Sequence, residues 1–500
     1  MRKNKGFRSA ALLMAIVLVF AALAFGQTPP PAPTISSSDL LEILHAKGIL
    51  TDQEYDSLKQ RVAPPTPAPA APAAVPTAEQ KHTPFVTMMD SGVGMHIGDV
   101  DLKFSGELNA FYVHDRPNHS ANVPVGGLVS NNGVGGETGA VSNSSIREGL
   151  LPSNFNITLS TRQRGLDILV DFGFYPGINS VKQGGAGFYV NNGLATAFST
   201  SGIDMRQQYA TIGNKHIGTF KLGRDIGLFG QEAILNDFTI LSVGTTNGNV
   251  APGSVSLGRI GLGYVYADFQ PQITYTTPSM GGLTAAFSVM QPLDDILAGS
   301  TLSPALHGHG QPQFQAKLTY ATPGKGPVKA NFWLNGITES MEPANATEAK
   351  AVGFNLGQSV RATGFDAGAK VTVKDFSLVA YGYNGRGIGT EALYLLGIDA
   401  TGHPRESRGG YLQGTYTLAK KWTLGGSWGI SHLSLTRDDI LTGKDLVKSN
   451  WSDVAQVRYA LTKWVTPIAE YTHTVSTSHN SLITPKATED SIALGAIVFF

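Results

Sequence analysis

The chain of 500 residues contains no cysteine, and its charged side chains make up only 15% of it. The absence of cysteine excludes disulfides and thiolate-based catalytic or metal sites. Soluble globular domains usually carry about 25% charged residues, whereas a bundle of membrane helices would be far more apolar than this chain's mean hydropathy of -0.02. A composition between these limits is typical of transmembrane strands, which alternate apolar and polar side chains.

The N-terminus has the pattern of a secretory signal peptide, and residues 1–26 are expected to be removed before Gln27. Its basic residues are Arg2, Lys3, Lys5 and Arg8, and the apolar stretch 10–25 follows them. The alternative is a retained membrane anchor. Removing four of the 37 basic residues leaves 33 against 37 acidic ones, a net charge of about -4. Nucleic acid is therefore not an expected partner. No later segment approaches the roughly 20 apolar residues of a spanning helix.

Two regions are expected between the signal peptide and the rest of the chain. Residues 27–62 predict a short periplasmic helical segment, because two cap residues are each followed three positions later by Glu. Residues 63–84 form a Pro- and Ala-rich linker, which should be stiff and extended. The helical segment could be a frayed hairpin, or it could associate across subunits or bind a periplasmic partner.

From about residue 100 onward, apolar and polar side chains alternate in segments of 8–14 residues. Period two with one apolar face predicts strands. The sixteen predicted strands are 100–113, 150–162, 166–176, 205–214, 217–226, 271–278, 281–291, 312–322, 327–337, 361–373, 375–385, 408–418, 421–432, 451–461, 463–475 and 489–500.

The connections between these strands alternate strictly between short and long. Those after even-numbered strands are short turns, whereas those after odd-numbered strands run from about 13 to about 44 residues. This sorting is typical of a barrel threaded through a bilayer, with turns in the periplasm and long loops outside. Residues 85–500 therefore predict an all-β fold, a sixteen-stranded antiparallel transmembrane β-barrel in contact with outer-membrane lipids, whose N-terminal segment lies in the periplasm.

The last predicted strand is the most specific local feature. Ile492, Leu494, Ala496, Val498 and Phe500 share one face, and Phe500 ends the sequence. A terminal Phe after an alternating strand resembles the signal that outer-membrane barrels present to their assembly machinery. That machinery is therefore an expected partner.

The stretch Ile217 to Gln231, IGTFKLGRDIGLFGQ, resembles the fifth strand of trimeric bacterial porins, in which a Gly-Arg step leads into a long loop folded into the pore. The helical segment and Pro-rich linker are similar to those of the porin O/P and DcaP-like group. The resemblance implies a homotrimer and a water-filled channel for passive diffusion of small hydrophilic solutes and ions across the outer membrane. It implies neither an enzyme nor a cofactor.

The longest connection, residues 227–270, is the expected constriction loop. Its charged residues are Glu232, Asp237, Arg259 and Asp268. Strand alternation places a mostly basic set of side chains on the lumen side: Lys103, Arg162, Lys221, Lys317, Lys329, Lys370 and Arg458, together with Glu107, Asp167, Asp171, Asp225 and Asp366. An acidic loop opposite this wall predicts a transverse field that favours small anions or carboxylates. The loop lacks the cluster of Lys and Arg that phosphate-selective members carry, which argues against phosphate specificity.

Each of these charges could instead be a solvated lumen residue without a role in selectivity. His307 and His309 share a loop and could bind metal, but solvated side chains are the simpler interpretation, and no metal site is predicted. Two other classes of function remain open. One is a barrel enzyme with its nucleophile and base at the rim. The other is a structural or adhesive barrel that acts through its loops or its periplasmic helices. Single-channel conductance separates both from a porin.

Overall fold

The computed structural model describes residues 86–89, 91–117, 123–129, 142–178, 202–246, 255–324, 326–480 and 486–500. They belong to a compact unit that spans Phe85–Phe500. The predicted signal peptide, helical segment and linker lie outside the described residues, so they stay predictions.

All described strands belong to one antiparallel sheet. Their bounds are β1 (Val86–Met88), β2 (Val93–Ile97), β3 (Val100–Pro117), β4 (Asn143–Arg147), β5 (Asn154–Gln163), β6 (Leu166–Pro176), β7 (Ile203–Asn214), β8 (Gly218–Ile226), β9 (Phe269–Thr276), β10 (Leu283–Met290), β11 (Gln313–Ala321), β12 (Val328–Met341), β13 (Val360–Val373), β14 (Phe376–Arg386), β15 (Glu406–Leu418), β16 (Trp422–Leu433), β17 (Val447–Tyr459), β18 (Val465–Ser478) and β19 (Lys486–Phe499).

The sheet closes because the last strand pairs with β3, from Glu489 opposite Pro117 to Phe499 opposite Glu107. Strand β3 is 18 residues long and has two neighbours on each edge. On one edge β2 pairs with its first part and β19 with its second part. On the other edge β5 pairs with the first part of β3 and β4 with its second part. Strands β4 and β5 thus form one interrupted barrel strand, and the predicted sixteen-stranded barrel is confirmed.

The interruption between β4 and β5 differs from the sequence-based expectation of one strand over 150–162. Residues 148–153 leave the wall, and the Leu150 N–H donates to the Ser242 carbonyl over 2.7 Å. Gly149 lies so close to Ser242 that a Cβ there would be 2.3 Å from the same oxygen. The barrel strand is therefore interrupted where residues of the connection between β8 and β9 pack against it from inside the barrel.

Side chains alternate across the wall as the sequence predicts. On β3, Leu108 and Tyr112 are 56% and 46% exposed on the outer face, while Glu107, Asn109 and Phe111 are buried inside. Outward apolar side chains suit contact with lipid, because the hydrocarbon core offers no hydrogen-bond partners. The turns at one end are tight, and several place a non-glycine residue at positive φ, such as Arg164 and Lys374. At the other end the connections are long, except that the last one is reduced to 479–485.

The described helices lie in the long connections. They are α1 (Gln231–Asn236), the 3-10 helix η1 (Phe238–Leu241), α2 (Ala346–Val352) and α3 (Arg437–Thr442). Helix α3 begins with a capping box formed by Thr436 and Asp439, which satisfies the free N–H groups of its first turn. Within the described ranges, no helix is both long and apolar enough to cross a membrane.

Candidate functional site

The described parts of the connection between β8 and β9, residues 227–246 and 255–268, fold into the barrel and are called here the inner loop. The expected range was 227–270, but β9 already begins at Phe269. The loop is closed at its base by the Gly227 N–H, which donates to the Asp268 carbonyl over 2.9 Å. Its path can be followed through hydrogen bonds to the inner wall.

The first contacts of the inner loop are with β11 and β13. Gln315 Oε1 accepts hydrogen bonds from the N–H groups of Leu228 (2.6 Å) and Phe229 (2.8 Å). Asp366 Oδ2 accepts from the Gly230 N–H over 2.8 Å. Gly230 has a φ of 74°, a left-handed conformation that turns the chain into helix α1. Inward polar side chains of distant strands thus set where the helix starts.

Helix α1 is then fastened to β15. The Tyr411 hydroxyl donates to the Ala233 carbonyl over 2.8 Å. Gln413 makes two bonds of 2.8 Å, donating to the Asn236 carbonyl and accepting from the Phe238 N–H. The side-chain amide therefore bridges the step between α1 and η1.

The loop continues along the wall to β18 and β19. Glu470 accepts from the N–H groups of Val243 (3.2 Å) and Gly244 (2.6 Å). The Thr246 hydroxyl donates to Glu489 over 2.7 Å. The inner loop is therefore bonded to the wall from β11 to β19, one sector of the barrel.

This sector also has an apolar core inside the barrel. The loop contributes Phe229, Ala233, Ile234, Tyr264 and Val265, and the wall contributes Trp333, Ile337, Tyr381, Tyr383 and Tyr411. Phe229, Tyr264 and Val265 are completely buried. Burial of this many large side chains excludes water, so this part of the interior is packed like a protein core.

The opposite side of helix α1 faces open space. A cavity of about 350 Å³ lies there, and its lining is mainly polar: Lys221, Leu228, Gln231, Glu232, Thr274, Thr276, Thr284, Ala286, Lys317, Thr319 and Asn331. Three of the predicted site residues, Lys221, Glu232 and Lys317, therefore meet around one cavity.

The charges at this cavity are arranged as two ion pairs. Lys317 Nζ lies 3.0 Å from Glu232 Oε1, which joins the wall to helix α1, and it also contacts Gln231. Lys221 pairs with Asp225 on its own strand, and its ammonium lies 4.9 Å from the centre of the Tyr209 ring. Lys221 keeps 25% of its side chain exposed and Lys317 16%. Both can therefore act on an ion in the cavity.

Asp237 and Arg259 do not face this cavity. Asp237 is 1% exposed and accepts from the Thr239 hydroxyl (2.6 Å) and the Tyr264 hydroxyl (3.0 Å). Arg259 is 0% exposed and donates to Ser452 Oγ over 3.0 Å. The structure places both between loop and wall, where a passing ion would meet neither directly.

The remaining predicted residues are spread along the wall. Arg458 donates to the Phe238 carbonyl and so holds η1. Arg162 pairs with Asp167 at 3.0 Å beside the short turn after β5, with both side chains exposed. Lys370 lies opposite Asn331 in the strand register, one step from the cavity, and Lys329 lies nearer the turn.

Sequence reasoning did not identify the residues that hold the inner loop as its partners, although it placed Asp366 on the lumen side. They are Gln315, Asp366, Tyr411, Gln413 and Glu470, together with Arg147, which donates to the carbonyls of Thr246 (2.7 Å) and Val255 (2.8 Å). The sequence indicated them in part, because all of them except Arg147 occupy positions of the predicted strands that face the lumen. Nothing local distinguishes a partner for loop backbone from a side chain that faces water.

The comparisons with known proteins agree with this geometry. A family model described as Gram-negative porin matches residues 90–479. The chain belongs to the Gram-negative porin family. No curated protein sequence matches the porin at a significant level.

Among solved structures, the porin is similar to the outer membrane channel DcaP of Acinetobacter baumannii, with 12% identity, a TM-score of 0.55, and coverage of 83% of this chain and 99% of that one. It is also similar to Salmonella typhi OmpF in complex with daunomycin, with 14% identity, a TM-score of 0.47, and coverage of 82% and 100%. Similarity at these identities shows the fold alone. By family and architecture, the molecule is a channel of the outer membrane.

Proposed function

We propose that this porin conducts small hydrophilic solutes and ions by passive diffusion along the polar side of its lumen, and that helix α1 forms the constriction. The observation that carries the proposal is the placement of α1. The side of α1 that faces the barrel wall is packed on it, and the opposite side borders the cavity that Lys221, Glu232 and Lys317 line. A solute passing the inner loop would meet these charges first.

The balance of charge around this path favours small anions or carboxylates. Lys221 and Lys317 are each neutralised by a carboxylate, whereas Lys329 and Lys370 form no ion pair among the described residues. These two lysines without a carboxylate partner are the basis for proposing a preference for anions. A unit charge a few ångströms away contributes about 1–4 kcal/mol at the effective dielectric of a narrow, partly dehydrated site.

The proposal includes the orientation of the barrel in the outer membrane and its assembly into a homotrimer. The long connections lie outside the cell, and the short turns and N-terminal segment lie in the periplasm. A homotrimer is supported by the family resemblance.

Planar-bilayer recording of the purified porin is the direct test of conduction. A stepwise conductance with a reversal potential shifted toward anions in a salt gradient is expected. Correctly folded barrels that insert without conducting would instead support the adhesive or structural class of function.

Phe500 is proposed to be the signal for the assembly machinery. It sits at the closure of the barrel, where it exchanges backbone hydrogen bonds of 3.1 and 3.2 Å with Gly106. Its ring stacks on Phe155 at 6.3 Å. Phe500→Ala should lower outer-membrane levels without affecting export, measured by fractionation, and Phe500→Trp is the matched control. Normal outer-membrane levels of Phe500→Ala would contradict the assignment.

A further inference from the structure

A cluster of titratable side chains lies at the long-loop end of the barrel, where loop 387–405 meets helix α3. Asp399, His403 and Asp438 each offer one ligand atom, and these atoms all lie within 4.8 Å of one another. We propose that the three side chains bind a divalent transition-metal ion such as Zn²⁺, and that the bound ion clamps loop 387–405 to helix α3.

The distances between the ligand atoms fit a shared ion. His403 Nδ1 lies 3.7 Å from Asp399 Oδ2 and 3.2 Å from Asp438 Oδ2. Zinc binds nitrogen and oxygen at about 2.0–2.2 Å, so two ligands of a tetrahedral site are separated by about 3.4 Å. The two separations lie on either side of this value. The Thr401 hydroxyl now donates to Asp438 Oδ2 over 2.6 Å and lies 3.0 Å from His403 Nδ1, so it must turn away before these atoms can share one ion.

The donor set indicates the class of metal. Two carboxylates carry the charge that balances a divalent cation, and the imidazole favours a transition ion over Ca²⁺ or Mg²⁺, which prefer oxygen ligands. The Asp399 side chain is 2% exposed, whereas those of Asp438 and His403 are 37% and 63% exposed. The last two also line a cavity of about 680 Å³, which leaves room for water ligands.

The surrounding contacts hold the ligands in place. Asp399 Oδ1 accepts from the N–H groups of Thr401 and His403, both over 2.9 Å, and Asp399 Oδ2 accepts from the Thr436 hydroxyl over 2.6 Å. Such partners around a ligand orient it for the metal.

A buried ion pair joins the same two segments. Arg405 binds Asp439 with bonds of 2.7 and 2.8 Å, and both side chains are at most 2% exposed. This ion pair places the loop and the helix beside each other, so metal binding would need no rearrangement of the backbone, and the ion would add a second link between the two segments. The competing interpretation is a protonated His403 that bridges two carboxylates without any metal.

The test uses the full-length porin in detergent after removal of metals with a chelator. Titration with Zn²⁺ at pH 7.5 by calorimetry should show a site whose affinity falls at least tenfold in Asp438→Asn and in His403→Asn. His96→Asn is the matched control. His96 Nδ1 lies 2.6 Å from Asp101 Oδ1, so it offers the same kind of pair without a third ligand. Ca²⁺ should not compete with Zn²⁺ at equal concentration.

A second readout follows the clamp itself. Zn²⁺ should slow hydrogen exchange in residues 387–405 in the unmodified porin but not in Asp438→Asn, with barrel folding checked for each variant by heat-modifiable mobility on gels. Unchanged Zn²⁺ binding in both variants would overturn the proposal. So would slower exchange that appears on acidification to pH 5 without metal and that Zn²⁺ fails to reproduce at pH 7.5.

Discussion

Inward-facing side chains differ between two sectors of this barrel. In β8 to β11 they are mainly polar or charged, as in Lys221, Asp225, Gln272, Thr274, Ser288 and Gln315. In β12 to β15 large apolar and aromatic side chains are also present, as in Trp333, Ile337, Val379, Tyr381, Tyr383 and Tyr411, beside polar ones such as Asn335, Asp366 and Gln413. The outer faces of both sectors are apolar, with Ile273 and Phe287 exposed in the first and Leu334 and Phe365 in the second.

This difference shows that one barrel interior contains both a protein core and a channel. In the apolar sector the inner loop covers the wall and excludes water. In the polar sector the side chains line the cavity, pair with one another or, like Gln315, bind the backbone of the inner loop. The inner loop is the boundary, because one side of α1 packs on aromatic rings and the other borders a cavity with a mainly polar lining. Three sets of substitutions, each with its own expected effect, can test this comparison.

The largest effect is expected from Phe229→Ala, because Phe229 is completely buried between the loop and the wall. Loss of a buried Phe side chain should lower the free energy of unfolding by about 3–5 kcal/mol. The loosened loop should also increase open-channel noise in bilayer recordings. Denaturant titration of the purified barrel measures the first effect.

Leu235→Ala is the control for this prediction, since Leu235 lies six positions after Phe229, on helix α1, and is 53% exposed. Its substitution should change stability by no more than about 0.5 kcal/mol. Equal destabilisation by both variants would mean that the two sides of α1 do not differ in packing.

An intermediate effect is expected at the polar side of α1. Replacing Lys221 and Lys317 together by Gln leaves Asp225 and Glu232 without their partners at the cavity. The loss of two positive charges should shift the reversal potential toward cations. The loss of one negative charge in Glu232→Gln should shift it toward anions. Both shifts should shrink toward 1 M salt, where the Debye length is about 3 Å.

Asp237→Asn is the informative comparison, because Asp237 is buried in hydrogen bonds with Thr239 and Tyr264. It should reduce stability and leave the reversal potential nearly unchanged. A shift as large as that of Glu232→Gln would show that burial does not isolate Asp237 from permeating ions.

The smallest effect is expected from Lys329→Gln with Lys370→Gln. Lys329 lies near the short turns, and Lys370 lies opposite Asn331 at the edge of the cavity. Screening over about 8 Å at physiological salt weakens charges that lie away from the narrowest point. Anion preference should fall measurably at low salt but little at physiological salt. An effect larger than that of the Lys221 and Lys317 pair would place the constriction nearer the turns.

The fold could be predicted because its determinants are local. Each strand has apolar and polar side chains that alternate with period two. The length of each connection indicates at which end of the barrel it lies. The inner loop was also recognisable by its length. The predictions were less complete where a segment is stabilised by distant residues, as at β4 and at the excursion 148–153, which packs on Ser242.

The candidate site, too, could be predicted from the sequence only in part. Lys221 and Lys317 could be placed on the lumen side from strand parity alone, and Glu232 could be placed in the loop. Whether a loop charge meets water depends on the path of that loop. Gln315, Tyr411 and Glu470 hold this path, and they lie about 90 to 230 positions further along the chain than their loop partners.

The amino-acid sequence by itself determined the wall of this porin: sixteen alternating strands, their order, and which side chains face lipid. It could do so because a strand's two faces are set by neighbouring residues along the chain. Only the tertiary structure decided that part of the lumen is a packed core, that Asp237 and Arg259 are buried in it, and that Asp399, His403 and Asp438 meet at one point. Each of these outcomes needs contacts between segments far apart in sequence, and the free energy of those contacts depends on the shape of the space that the closed barrel encloses.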